Sequence, residues 1–100
     1  VLLHSGGSRI LEAFLLADAC PNVFLETSFS LPYYIGSSVE QDMAFAYKKV
    51  SEKVIYGSDF PYVNMTTSLE TFLKFSQDWK FTEAQIEGFL SSNVRKIFNV

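Results

Sequence analysis

Residues 54–61 read Val-Ile-Tyr-Gly-Ser-Asp-Phe-Pro, a short apolar run that ends on glycine, serine and an aspartate. Two earlier segments share this design: Val1 to Leu3 leads into His4-Ser5-Gly6-Gly7, and Val23 to Leu25 leads into Glu26-Thr27-Ser28. Hydrophobicity that is continuous rather than alternating is typical of strands buried on both faces of a parallel sheet. The sequence therefore predicts three parallel strands.

Amphipathic segments separate and follow these strands. Each predicted helix begins at a capping residue: Ser8, Ser38 with Gln41, Thr67 with Glu70, and Thr82 with Gln85. Strands that alternate with helices predict an α/β fold with parallel strands, outer helices and right-handed crossovers. We expect residues 1–100 to be one domain or a piece of one. Because Val1 opens the chain in mid-strand without an initiator methionine, we expect a fragment.

Composition narrows the function classes. A hydrophobic fraction of 48% and an aromatic fraction of 16% suit one small globular core. The net charge of −3 comes from scattered residues, which argues against nucleic acid as a partner. No apolar run approaches the roughly 20 residues of a membrane span, so we expect no membrane partner. Cys20, the single cysteine, fits a cytoplasmic location, and a homo-oligomer is compatible with the sequence.

Asp59 and His4 are the leading candidates for chemistry, because reactive groups of parallel β/α folds cluster where strands end. Asp59 follows the third strand beside Gly57, which suits a metal ligand or a general base; the alternative is a loop-anchoring aspartate. His4, the one histidine, suits a general base or metal ligand, and the alternative is a hydrogen-bonded core histidine.

Other polar and aromatic residues are predicted to have structural or substrate-binding roles. Glu26 is predicted to be structural rather than a third acidic group of the site. Asn93 lies on the apolar stripe of the last helix, so its amide is predicted to tie that helix to a loop or strand end. Aromatic residues of the loops after the second and third strands either line a substrate pocket or pack the loops: Tyr33, Tyr34, Phe60 and Tyr62.

These motifs together resemble the C-terminal part of the amidohydrolase-related (amidohydrolase 2) family of metal-dependent TIM-barrel enzymes. The matching segments are His4-Ser5-Gly6-Gly7, Pro21-Asn22-Val23, Gly57-Ser58-Asp59-Phe60-Pro61 and Asn93-Val94-Arg95-Lys96-Ile97-Phe98. In that family an H-x-G-G, a P-N-V and a G-S-D-x-P accompany about the sixth, seventh and eighth strands, in this order. The resemblance implies the last β/α units of a TIM (β/α)8 barrel.

The resemblance also implies roles. Asp59 matches an aspartate that binds or borders a divalent metal, with zinc as the expected ion, and His4 matches a histidine near the activated water or the substrate. The family's H-x-H pair and fifth-strand histidine have no counterpart here, so the remaining ligands are expected outside this chain. A three-strand piece would leave the Val1 and Val54 edges unpaired, and we expect it to be inactive alone.

Several functions stay open. The first is hydrolysis of an amide, lactone or ester-like bond of a small molecule by metal-activated water. Relatives of this family instead decarboxylate aromatic or unsaturated acids. A TatD-like nuclease also places an aspartate and a proline after its last strand, and a barrel without its metal would be a non-catalytic binding module. The sequence upstream of this chain would test the last possibility, because a non-catalytic module is expected to lack the H-x-H pair there.

Overall fold

The three predicted strand segments lie side by side and parallel. The structure is a computed structural model that describes residues 1–99. Strand β1 (Leu25–Glu26) pairs in parallel with β2 (Val54–Ile55), with Leu25 opposite Val54. The first segment adds a single parallel bridge between Leu2 and Leu25. The parallel arrangement is as predicted. The strands are short, however, and helix predominates. The complete barrel stays a prediction.

Helices account for most of the ordered secondary structure. They are α1 (Ile10–Ala19), α2 (Ser30–Tyr34), α3 (Ser38–Lys49), α4 (Met65–Asp78), α5 (Glu83–Glu87) and α6 (Asn93–Phe98). Helix α2 lies where the sequence indicated only a loop. A π-helical turn, Gly88–Ser92, joins α5 to α6, so the predicted last helix is interrupted. Within residues 1–99, no helix has the length and apolar character needed to cross a membrane.

The helix starts show where local sequence signals were ambiguous. Thr82 and Gln85 form the predicted capping box at α5. The other predicted caps are wrong: Ser37 caps α3, Asn64 caps α4 through the amides of the first turn, and α1 has no side-chain cap. Serine, threonine and asparagine all cap helices well, so where several stand together the tertiary position of the helix decides among them.

A cluster of aromatic side chains forms the core between the sheet and the helices. Tyr47, Phe72, Phe75 and Phe89 are all at most 2% exposed. Tyr47 packs edge-on against Phe75 and Phe89, at ring centroid distances of 6.2 and 6.4 Å. This core joins α3 and α4 to the π-helical turn beneath the strand ends.

The outer edge of β2 is covered, which corrects the expectation that it is unpaired. Tyr56 donates its backbone N–H to Phe89 O over 2.8 Å, and Asn93 Nδ2 donates to Val54 O at the same distance. Asn93 Nδ2 also reaches Ser51 O at 2.8 Å. Asn93 therefore ties the last helix to a strand, as predicted. At the other edge of the sheet, the side chains of Val1 and Leu3 are 53% and 67% exposed.

Candidate functional site

Glu26 is the last residue of β1, and His4 and Asp59 come just after the other two parallel segments. The loops that they open carry unusual backbone conformations: φ is +58° at His4, +62° at Phe29 and +64° at Asp59. A non-glycine residue at positive φ costs on the order of 1–3 kcal/mol and persists only where the surroundings hold it. Such strain is common at functional sites, and four of the six non-glycine residues with positive φ in residues 1–99 lie in these loops: His4, Ser5, Phe29 and Asp59.

The loop after the first segment turns back over the strand ends. Four consecutive residues, His4 to Gly7, have positive φ. Gly6 packs against α1, since a Cβ at position 6 would lie 3.0 Å from Ala13 Cβ. Ser5 is fully buried in this loop and donates its hydroxyl to Glu26 O over 2.8 Å. The paired glycines thus permit the left-handed turn that places His4 beside β1.

Glu26 is buried, with only 8% of its surface exposed. Its carboxylate accepts hydrogen bonds from His4 N at 3.2 Å, Ser28 N at 3.1 Å and Ser28 Oγ at 2.7 Å. A buried carboxylate is tolerated only when donors surround it. These contacts support the predicted structural role of Glu26, and the groups that it fixes include the backbone of His4.

The imidazole of His4 is held through Nδ1. This atom lies 2.8 Å from Ser28 O and 3.2 Å from Ser28 Oγ, and the ring meets Phe29 edge-on at 5.3 Å. Because a carbonyl oxygen only accepts, Nδ1 carries the hydrogen and Nε2 carries the lone pair in the neutral ring. Residues 1–99 provide no hydrogen bond to Nε2, so a proton or a metal ion can be taken there.

Tyr47 extends the polar contacts beneath the site. Its hydroxyl lies 2.8 Å from Ser5 Oγ, whose own hydrogen points to Glu26 O, so Tyr47 donates. Burial raises the pKa of the Tyr47 hydroxyl above its ordinary value, and the negative charge of Glu26 adds to the rise. Tyr47 therefore stays protonated and anchors the loop that carries His4.

Asp59 lines a pocket of about 310 Å³. Its backbone oxygen accepts hydrogen bonds from Tyr62 N at 2.9 Å and Val63 N at 3.1 Å, which closes a tight turn. No hydrogen bond within residues 1–99 engages its half-buried carboxylate. The pocket is lined by Phe29, Pro32, Tyr33, Asp59, Tyr62 and Val63. A carboxylate in a mostly apolar pocket is a usual setting for a binding or catalytic site.

The predicted site residues come together only in part. His4 contacts Phe29, Phe29 stacks on Tyr33 at 4.7 Å, and both aromatic residues share the pocket with Asp59. Tyr34 packs against the core and meets Tyr33 edge-on at 5.0 Å. Phe60 is 67% exposed. Neither of the last two is among the residues that line this pocket.

Two contributions were not predicted from the sequence. Phe29 links His4 to the pocket, but nothing local distinguishes it from other loop aromatics. Gly57 is needed for Glu26 rather than for Asp59: a Cβ at position 57 would overlap the Glu26 carboxylate. The need for a glycine beside a glutamate on the adjacent strand can be recognised only once the strand register is known.

The described residues do not complete a metal site. In residues 1–99, no three histidine, cysteine, aspartate or glutamate side chains come together to hold an ion. Protein zinc sites with catalytic roles commonly have three protein ligands and one open position. Asp59 and the Nε2 atom of His4 are the groups available here for a metal, so they form part of a ligand set at most.

Comparison with known proteins identifies a family. A family model described as amidohydrolase matches residues 1–100. No curated protein and no solved structure matches the chain.

Proposed function

The chain belongs to the amidohydrolase family, and from this premise we propose that it supplies Asp59 and His4 to the active site of a metal-dependent hydrolase. The proposed substrate is a small molecule with an amide, lactone or ester-like bond, attacked by water. The observation that carries the proposal is a chain of contacts: the His4 ring meets Phe29, and Phe29 lines a pocket together with Asp59. All three residues have positive φ.

Asp59 is the proposed metal ligand. Its carboxylate has no hydrogen-bond partner in residues 1–99, and the residue lines a pocket, which fits a group that holds a divalent ion, expected to be zinc. Such an ion lowers the pKa of a bound water to about 7 and polarises a carbonyl oxygen. The turn formed by Tyr62 N and Val63 N on Asp59 O fixes the backbone of the ligand.

His4 is the proposed proton carrier. With Nδ1 donating to Ser28 O, the Nε2 lone pair takes a proton from water, and the imidazolium formed in this way gives that proton to the leaving group. Phe29 and Tyr33 stack beside it and offer apolar contact to the substrate. We propose that this apolar pocket takes a small molecule rather than nucleic acid, in keeping with a net charge of −3.

The other metal ligands are proposed to come from outside this chain. We therefore expect that a calorimetric titration of zinc into residues 1–100 alone gives weak heats without a one-to-one end point. Tight, stoichiometric uptake by this chain would overturn that part of the proposal.

A substrate panel tests the reaction class. The complete protein that contains this chain, loaded with zinc, is offered amides, lactones and esters beside aromatic and unsaturated carboxylic acids. Hydrolysis products from the first group support the proposal. Carbon dioxide release from the acids without hydrolysis would replace it with decarboxylation, and cleavage of single-stranded DNA would replace it with a nuclease.

A further inference from the structure

We propose that Glu26 is a positioning residue for His4, which fixes the histidine in the tautomer with hydrogen on Nδ1 and the lone pair on Nε2. The use of that lone pair in catalysis rests on the proposed function above. The tautomer itself is a property of the fold and is measured without substrate or metal.

Three donors meet the Glu26 carboxylate. Its partners are the N–H of His4, the N–H of Ser28 and the hydroxyl of Ser28, at 3.2, 3.1 and 2.7 Å. Both backbone groups are obligatory donors, so the side chain of residue 26 must accept. A glutamine would turn an amide N–H toward one of these donors. Only the carboxylate satisfies all of them.

The Ser28 hydroxyl directs its hydrogen to Glu26. The hydroxyl donates its single hydrogen to Glu26 over 2.7 Å. Its oxygen lies 3.2 Å from His4 Nδ1 and can therefore only accept a hydrogen bond from that atom. The backbone oxygen of Ser28, 2.8 Å from Nδ1, is also an acceptor. Nδ1 therefore faces two acceptors. Without Glu26, the hydroxyl is free to rotate and donate to Nδ1, which favours the other tautomer.

Further contacts fix the position of the His4 ring. Glu26 holds His4 N, and the Ser30 hydroxyl donates to His4 O, so both backbone groups of this positive-φ residue are fixed. Phe29 meets the ring edge-on at 5.3 Å and restricts its rotation. Polar partners of this kind set the tautomer and orientation of a functional histidine.

The test is nitrogen NMR of the imidazole. Because the chain has a single histidine, 15N labelling gives one unambiguous pair of ring signals. At a pH where the ring is neutral, the wild-type chain is expected to show protonated Nδ1 and unprotonated Nε2. In Glu26→Gln both signals are expected to shift toward the mixed-tautomer values of free imidazole. A hydrogen on Nε2 in the wild type, or unchanged signals in Glu26→Gln, would overturn the proposal.

A matched control separates positioning from the general loss of a carboxylate. Glu40 is a half-buried acid that accepts hydrogen bonds from Gly36 N and Trp79 Nε1, both at 2.8 Å. Glu40→Gln is expected to leave the imidazole signals unchanged, and an equal shift there would contradict a specific role for Glu26. If Glu26→Gln loses its dispersed amide spectrum, Ser28→Ala decides instead. It removes one acceptor and is expected to shift Nδ1 in the same direction by less, whereas no shift would overturn the proposal.

Discussion

Glu26 and Gly57 lie at the ends of adjacent strands, and the glycine leaves the space that the carboxylate occupies. A Cβ at position 57 would lie 2.8 Å from Glu26 Cδ and 3.3 Å from Ser28 Cβ. The Gly-Ser-Asp segment after β2 thus serves two purposes. Its glycine accommodates the group that holds His4, and two residues later it presents Asp59.

Gly57→Ala is expected to destabilise the chain by about 1–3 kcal/mol, because an added methyl group must displace a carboxylate held by three hydrogen bonds. Urea unfolding measures the change. The cost is expected to shrink in a Glu26→Ala background, where the overlap is gone. Equal costs in both backgrounds would show that the overlap with Glu26 is not the cause.

Asn93→Ala is expected to cost about 1–3 kcal/mol, because it leaves the buried carbonyl of Val54 without its donor. It also uncovers the edge of β2, so concentration-dependent association is expected by light scattering. Ser92→Ala is the matched control, since its hydroxyl meets Glu87 in an exposed contact. A cost for Ser92→Ala as large as that for Asn93→Ala would contradict this role for the amide.

Tyr47 gives the chain a predicted pH dependence. Burial raises the pKa of its hydroxyl in the folded chain, while the unfolded chain keeps the ordinary pKa of about 10. Above that pH the unfolded chain loses the proton first, so stability is complete below it and falls as pH rises. The fall attributable to this group is at most about 1.4 kcal/mol per pH unit.

Urea unfolding between about pH 9 and 11 measures this fall. The wild-type slope is expected to exceed that of Tyr47→Phe, whereas Tyr62→Phe, at a side chain 91% exposed, is expected to keep the wild-type slope. Parallel slopes for wild type and Tyr47→Phe would contradict the prediction.

Tyr33→Ala is expected to raise KM roughly 10-fold for the substrate that the panel identifies, because it removes one ring of the stacked pair in the pocket. Phe60→Ala is the comparison, since its ring lies outside the pocket lining and is 67% exposed. Initial rates on both variants give the two KM values. Equal changes would mean that the pocket beside Tyr33 is not where the substrate binds.

The sequence predicted the parallel order of the strands because continuous apolar runs are read directly from residue types. It also predicted the tie from Asn93, since a buried amide on an apolar stripe must find partners. The capping residues of α3 and α4 were wrong because neighbouring residues cap equally well in isolation. The short helix α2 was missed, since five residues give too little periodicity to recognise.

For the site, the strand-end positions of His4 and Asp59 followed from the same reasoning, but their surroundings did not. The hydrogen bond from His4 N to the Glu26 carboxylate joins two residues that are 22 positions apart in the sequence. Such a contact depends on strand register and on a left-handed loop, neither of which is visible in local pattern. The roles of both residues in catalysis stay predictions.

The most direct test of the central claim is Asp59→Asn in the complete, metal-loaded protein. Asparagine tolerates the positive φ of this position, and no hydrogen bond of the Asp59 carboxylate is lost within residues 1–99, so stability is expected to change by less than about 0.5 kcal/mol. Turnover is expected to disappear, while Asp42→Asn, on α3, keeps it. Retained turnover in Asp59→Asn with the fold intact would contradict the assignment of Asp59 to the reaction.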